Sequence, residues 1–183
     1  MTAAGCTANV VLLTREYVCV ANAGDSRAVL CRGGKALALS TDHKPNDPGE
    51  RARITKAGGF VAEAQNGHYR VNGNLNLSRS LGDLKYKTDL KLSAAKQVIT
   101  AEPDVLKVAL TKDDAFLVVA CDGVWDVLSN QELVDFVRER LKKEKKLSKI
   151  CEAVMTHCLA KDPKETKGIG GDNMTCIIVI LKR

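Results

Sequence analysis

The sequence predicts an α+β fold with antiparallel sheets. Three observations lead there. Short β-branched apolar runs outnumber helical patterns, the elements do not alternate as regular βαβ units, and the two best amphipathic helices are neighbours joined by a short loop. TANVVLL (7–13), YVCVAN (17–22) and RAVLC (27–31) are separated by turn residues and read as an antiparallel meander, with a fourth strand near 35–40 after Gly33-Gly34. Strands this apolar on both faces call for sheets covered on both sides. In DPGERARITKAGG, Asp47 is placed to cap a helix, Pro48 to open it, Glu50 to complete a capping box and Gly58 to end it. Residues 66–97 are polar, punctuated by Gly67, Gly73 and Gly82, and show no sustained period, so they read as a long functional loop. Strands resume at 104–109 and 115–120. Ser129 and Glu132 form a second capping box that opens a helix to about Lys143, with Leu133, Val134, Val137 and Leu141 on one face. Another helix runs from about Ser148 to Ala160, antiparallel to the first. GIGG (168–171) then delivers Asp172 to a last strand, MTCIIVIL.

A chain of 183 residues suits one domain, and its 45% apolar and 27% charged residues are ordinary for a globular protein. No stretch approaches the ~18 apolar residues of a membrane helix. The first residues carry no basic segment before their apolar run, so they do not read as a signal peptide. The net charge of +6 is uneven: RERLKKEKK (138–146) carries six basic and two acidic side chains. No aromatic residues interleave with them, so a solvated helix end is expected rather than a nucleic-acid surface. Seven cysteines, an odd count without a CxxC pair, suit a reducing intracellular compartment, in cytoplasm or nucleus.

Four aspartates mark strand ends: Asp25 after VANAG, Asp122 after VVAC, Asp126 one turn on, and Asp172 before MTCIIV. Carboxylates gathered from separate strand ends are the donors that hard cations such as Mg²⁺ and Mn²⁺ select, and adjacent glycines let backbone approach closely. The other reading, a turn aspartate capping its own backbone, stays open for each. Thiol-dependent phosphoryl chemistry is excluded, because no cysteine has an arginine six positions on; Cys121 is followed there by Val127. A Walker A loop and HExxH are absent, and His43, His68 and His157 are scattered.

Together GCTANVVLL (5–13), VANAGDSRAVL (20–30), DHKPNDPGERARITKAGG (42–59), RVNGNLNLSRSLGD (70–83), ACDGVWDVLSNQELVDFV (120–137) and GGDNMTCIIV (170–179) resemble the metal-dependent serine/threonine protein phosphatases of the 2C family, in family order. The wording is closest to the gamma-type isoform. The resemblance implies a β-sandwich flanked by antiparallel helix pairs and a centre of two to three Mg²⁺ or Mn²⁺ ions. Asp122 and Asp172 would hold the central pair, and Asp25, Asp122 and Asp126 a third ion. It further implies a metal-activated water as nucleophile and phosphoprotein substrates. The segment at about 58–83 would be a substrate flap with Gly59, Arg70, Asn72 and Gly73, and Trp125 would pack the core.

The family's earlier motifs, an Asp bridging the metals, a phosphate-binding Arg and a general-acid His, are not found in these residues. The expectation is therefore residues 1–183 as the later portion of one catalytic domain, incomplete on its N-terminal side, with its catalytic residues upstream of Met1. Such a chain would be inactive alone and prone to self-association through open sheet edges. The alternative is a non-catalytic, protein-binding pseudophosphatase. Neither nucleic acid nor membrane is expected as a partner.

Overall fold

The computed structural model describes residues 4–64 and 67–181. In chain order come β1 (Gly5–Cys6), β2 (Ala8–Leu13), β3 (Tyr17–Ala23), β4 (Arg27–Arg32), β5 (Lys35–Ala38) and α1 (Pro48–Lys56). Next are β6 (Val61–Glu63), β7 (Tyr69–Val71), β8 (Leu81–Gly82) and single 3₁₀ turns at Leu84–Tyr86 and Ala94–Lys96. The rest is β9 (Asp104–Ala109), β10 (Asp114–Ala120), α2 (Asp122–Trp125), α3 (Asn130–Leu141), α4 (Leu147–Cys158) and β11 (Cys176–Ile180). The chain divides into two compact units, the first comprising residues up to 10, 21–25 and 41–105, and the second 11–20, 26–40 and 106 onward.

The second unit holds an antiparallel sheet in the order β11-β10-β4-β5. β10 reads FLVVA without alternation because both of its faces are covered. Phe116, Val118 and Ala120, with Val29, Cys31 and Ile178, pack beneath Val124 and Trp125 of α2, Leu133, Val134 and Val137 of α3, and Ile150 and Val154 of α4. Leu117, with Ala28 and Leu30, faces the other way onto Val18 and Val20 of β3, joined by Val11, Val108 and Leu110. Each fully buried aliphatic side chain contributes roughly 1.5–3 kcal/mol of transfer free energy, so this doubly covered strand anchors the unit. β2, β3 and β9 form the facing sheet, in the order β2-β3-β9.

The expected meander forms only in part: β2 neighbours β3 and β4 pairs with β5, but β3 and β4 do not pair. β4 leaves β3 and joins the other sheet, between β5 and β10. Ala28, Val29, Leu30 and Cys31 are all buried, which suits a central strand covered on two sides rather than the next strand of a hairpin ribbon.

α3 starts as its sequence requires. Glu132 N–H donates to Ser129 Oγ and the Ser129 N–H donates to the Glu132 carboxylate at 2.8 Å, a complete capping box. The cysteines behave as small hydrophobes. Cys31 and Cys158 are buried, and burial raises both thiols. Burial, with Cys151 beside it, pushes Cys176 up to about 12.

In the first unit, Ile54 of α1 packs with Val71 and Ile99, flanked by Val61, Leu75 and Tyr86. The Asp47–Glu50 capping box is absent. Asp47 accepts from Lys44 N–H instead, and Glu50 turns inward, because it lies one turn from Ile54 on the buried helix face. Pro48 and Gly58 do open and close α1, Gly58 at φ +82°. The stretch expected as an aperiodic loop, 66–97, contains β7, which pairs with β6, and β8, which pairs with β1.

Candidate active site

In the second unit the ends of β10 and β11 are held together past their last pair, Ala120–Cys176. Cys121 N–H donates to Thr175 O at 3.2 Å, Thr175 N–H donates to Cys121 Sγ at 3.2 Å, and the thiol donates to Asn173 O at 3.4 Å. A Cβ on Gly123 would lie 2.4 Å from Asn173 O. Glycine is what lets this backbone close, and the closure sets ACDG against GGDN, so Asp122 and Asp172 ride on touching segments. α2 is one turn long; Asp126 N–H donates to Asp122 O at 2.8 Å, and the i, i+4 spacing turns both carboxylates to one face. Asp172 Oδ1 accepts the Asn173 N–H at 2.7 Å, the backbone-capping role open to it from sequence. Trp125 is core: it is buried, and its Nε1 donates to Ala120 O at 2.8 Å.

In the first unit the DHKP segment clamps Gly24 and Asp25. His43 N–H donates to Gly24 O at 3.0 Å, and Gly24 N–H donates to His43 Nδ1 at 3.1 Å. With Nδ1 accepting, the ring proton sits on Nε2, which donates to Asp104 Oδ2 at 3.0 Å. Lys44 Nζ lies 2.6 Å from Asp25 Oδ2, and the Asp25 side chain is almost fully buried. Gly24 itself, at φ +116°, lies so close to Thr7 that a Cβ would come within 2.4 Å of its methyl carbon.

Behind this clamp sits an ion network. Glu50 accepts from Arg53 at 2.6 Å, Ser78 Oγ at 2.5 Å and Arg79 at 2.8 Å, and Arg79 reaches on to Asp104 at 2.7 Å. Burial alone would raise the Glu50 carboxyl; the bonds from Arg79, Ser78 and Arg53 overcome it and hold the group at about 2. Burial likewise opposes, and His43 and Arg79 reverse, the shift at Asp104, which lies below its ordinary value.

The residues expected in the flap have defined local roles. Gly59 N–H donates to Ile54 O at 2.9 Å. Asn72 and Gly73 occupy the left-handed turn after β7, at φ +50° and +71°. Asn72 Oδ1 accepts Phe60 N–H at 3.0 Å, and Arg70 donates to Asn74 O at 2.7 Å. Residues 65 and 66 of the expected flap lie outside the described residues.

A sequence profile of the protein phosphatase 2C family matches residues 1–166. The chain belongs to the protein phosphatase 2C family. It is 50% identical over 179 residues to the rice "Probable protein phosphatase 2C 11" (Oryza sativa subsp. japonica), covering 98% of this chain and 48% of the relative. It is 51% identical to the Arabidopsis thaliana "Probable protein phosphatase 2C 21", with the same coverage. A crystal structure of a phosphatase from a pathogenic strain of Toxoplasma gondii superposes with a TM-score of 0.77 at 31% identity, covering 91% of this chain and 50% of that one. The chain thus spans about half the length of the curated relatives it matches.

Protein phosphatase 2C enzymes are generally metal-dependent. Hard divalent ions take six or more oxygens, several of them carboxylate. Among the described residues no group of three or more His, Cys, Asp or Glu is gathered to hold one, and Asp25 already faces an ammonium. The donor set of this protein phosphatase 2C chain is therefore insufficient for a metal centre by itself. Sequence reasoning missed the Glu50–Arg79–Asp104–His43 network. One signal for it was present: Glu50 shares a helix face with Ile54, so a carboxylate there had to find buried cations.

Proposed function

We propose that the protein containing this chain is a Mg²⁺- or Mn²⁺-dependent serine/threonine protein phosphatase, transferring the phosphoryl group of phosphoproteins to water, and that residues 1–183 are the later portion of its catalytic domain. Membership of the protein phosphatase 2C family across residues 1–166 carries the reading. Asp122 and Asp172 would supply part of the central metal set, Asp25 and Asp126 donors to an outer ion, and residues 58–83 the flap beside the substrate. Seven free thiols favour a reducing compartment, cytoplasm or nucleus. Exposed Leu12, Leu13 and Leu106 favour self-association.

For the isolated chain the incomplete donor set favours a second reading, a folded module without turnover. The test is phosphopeptide hydrolysis with Mn²⁺ by the purified 183-residue chain and by the complete protein. We expect no turnover from the chain above a buffer control, turnover from the complete protein, and its loss on Asp122→Ala. Sustained Mn²⁺-dependent hydrolysis by the chain alone would refute its inactivity; a complete protein without turnover would refute the phosphatase reading.

A further inference from the structure

A pocket of about 430 Å³ opens between α3 and α4, lined by Arg140, Lys149, Glu152, Ala153, Thr156 and His157. Its chemistry is one-sided. The Arg140 guanidinium carbon lies over the Phe136 ring, 3.6 Å from the centroid, and the His157 ring meets the same phenyl at 4.8 Å. Among the described residues the N–H groups of the Arg140 side chain meet no acceptor. The ring contact holds the guanidinium in the pocket while leaving its fork of donors open, the arrangement that favours bidentate capture of a phosphoryl or carboxylate group. Lys149 is engaged by Glu152 at 2.7 Å, so Glu152 is neutralised and the net positive charge in the pocket is that of Arg140. In the adjacent α3–α4 connection Lys142 is paired with Glu139 at 2.6 Å, while Lys143, Lys145 and Lys146 outnumber Glu144 and extend that field outward.

We propose that this pocket, whose lining includes neither Asp122 nor Asp172, docks a phosphorylated, acidic protein segment, a substrate-docking role that rests on the phosphatase reading. The group entering the pocket would be a phosphoryl oxygen set on Arg140 and His157, with flanking carboxylates along the lysine-rich connection. Nucleic acid fits poorly. A base would need an open aromatic face, and Phe136 is already contacted by Arg140 and His157.

The test is fluorescence anisotropy on the 183-residue chain at fixed ionic strength, with a fluorescein-labelled peptide carrying one phosphoserine flanked by aspartates. Arg140→Gln removes the charged fork and is expected to weaken binding at least tenfold, as charge-assisted bonds require. Glu152→Gln removes the one carboxylate in the pocket and frees Lys149, so it should tighten binding severalfold; it also keeps the test decisive should Arg140→Gln fail to fold. Unchanged affinity in both variants would overturn the proposal. So would equal binding of the unphosphorylated neutral peptide, of single-stranded RNA of matched charge, or of phosphatidylserine vesicles. Because binding rather than turnover is read, a chain that docks the peptide while the complete protein proves inactive would refute only the phosphatase reading.

Discussion

At Glu50 one buried carboxylate gathers two guanidiniums and a hydroxyl, and through Arg79 it is tied to Asp104 and to the imidazole that positions Gly24. Removing one partner from such a set leaves buried charge uncompensated, which costs about 3–5 kcal/mol. Glu50→Gln is therefore expected to lower unfolding stability by a few kcal/mol in urea titrations. The pH dependence has a definite sign. The folded carboxyl titrates at about 2 and the ordinary value is 4.5, so the stabilisation is complete above 4.5 and is lost as pH falls toward 2. The wild type should lose stability steeply across that window, and Glu50→Gln should lose less. An equal acid response in the two proteins would show that another carboxylate governs it.

Among the elements, α2 is too short to stabilise itself; what fixes it is the approach of Asn173 O to Gly123 and the burial of Val124 and Trp125. Gly123→Ala would force the GGDN segment away, at a cost of about 1–3 kcal/mol. It should also displace Asp172 relative to Asp122, visible as NMR shift changes at Asp172 and Asn173 that leave α3 unaffected. Most elements were legible in sequence because their signals are local. Ser129 and Glu132 announce α3, Pro48 and Gly58 bracket α1, and FLVVA announces a doubly covered strand. What was not legible depends on distant partners. AGDS between β3 and β4 marks a turn but cannot say which sheet receives the next strand, since that is decided by β10. Asp47-Pro-Gly-Glu50 has the local pattern of a capping box, yet the partners that draw Glu50 inward, Ser78 and Arg79, lie far along the chain. At the candidate site, Gly123 and Asp172 were each recognisable, while their contact arises only from the pairing of β10 with β11.

Taken as a whole molecule, the sheet of the second unit has its centre made from strands far apart in the sequence: Leu30 pairs with Leu117, and Phe116 with Ile180. Closing so large a loop costs entropy before any apolar contact repays it. During synthesis β4 can pair at once with β5, which follows it directly, but its other edge stays unpaired until β10 has been translated; its helical cover, α3 and α4, follows later still. Refolding should accordingly be slow, on the order of milliseconds to seconds for topologies rich in such distant pairings. The single tryptophan, Trp125, packed against that sheet, reports on its completion in stopped-flow fluorescence, and submillisecond recovery of its signal would contradict this order of events. Until then the β4–β5 hairpin keeps one sticky edge and two uncovered apolar faces, and holding it apart from other nascent chains is a task for the cell's chaperones.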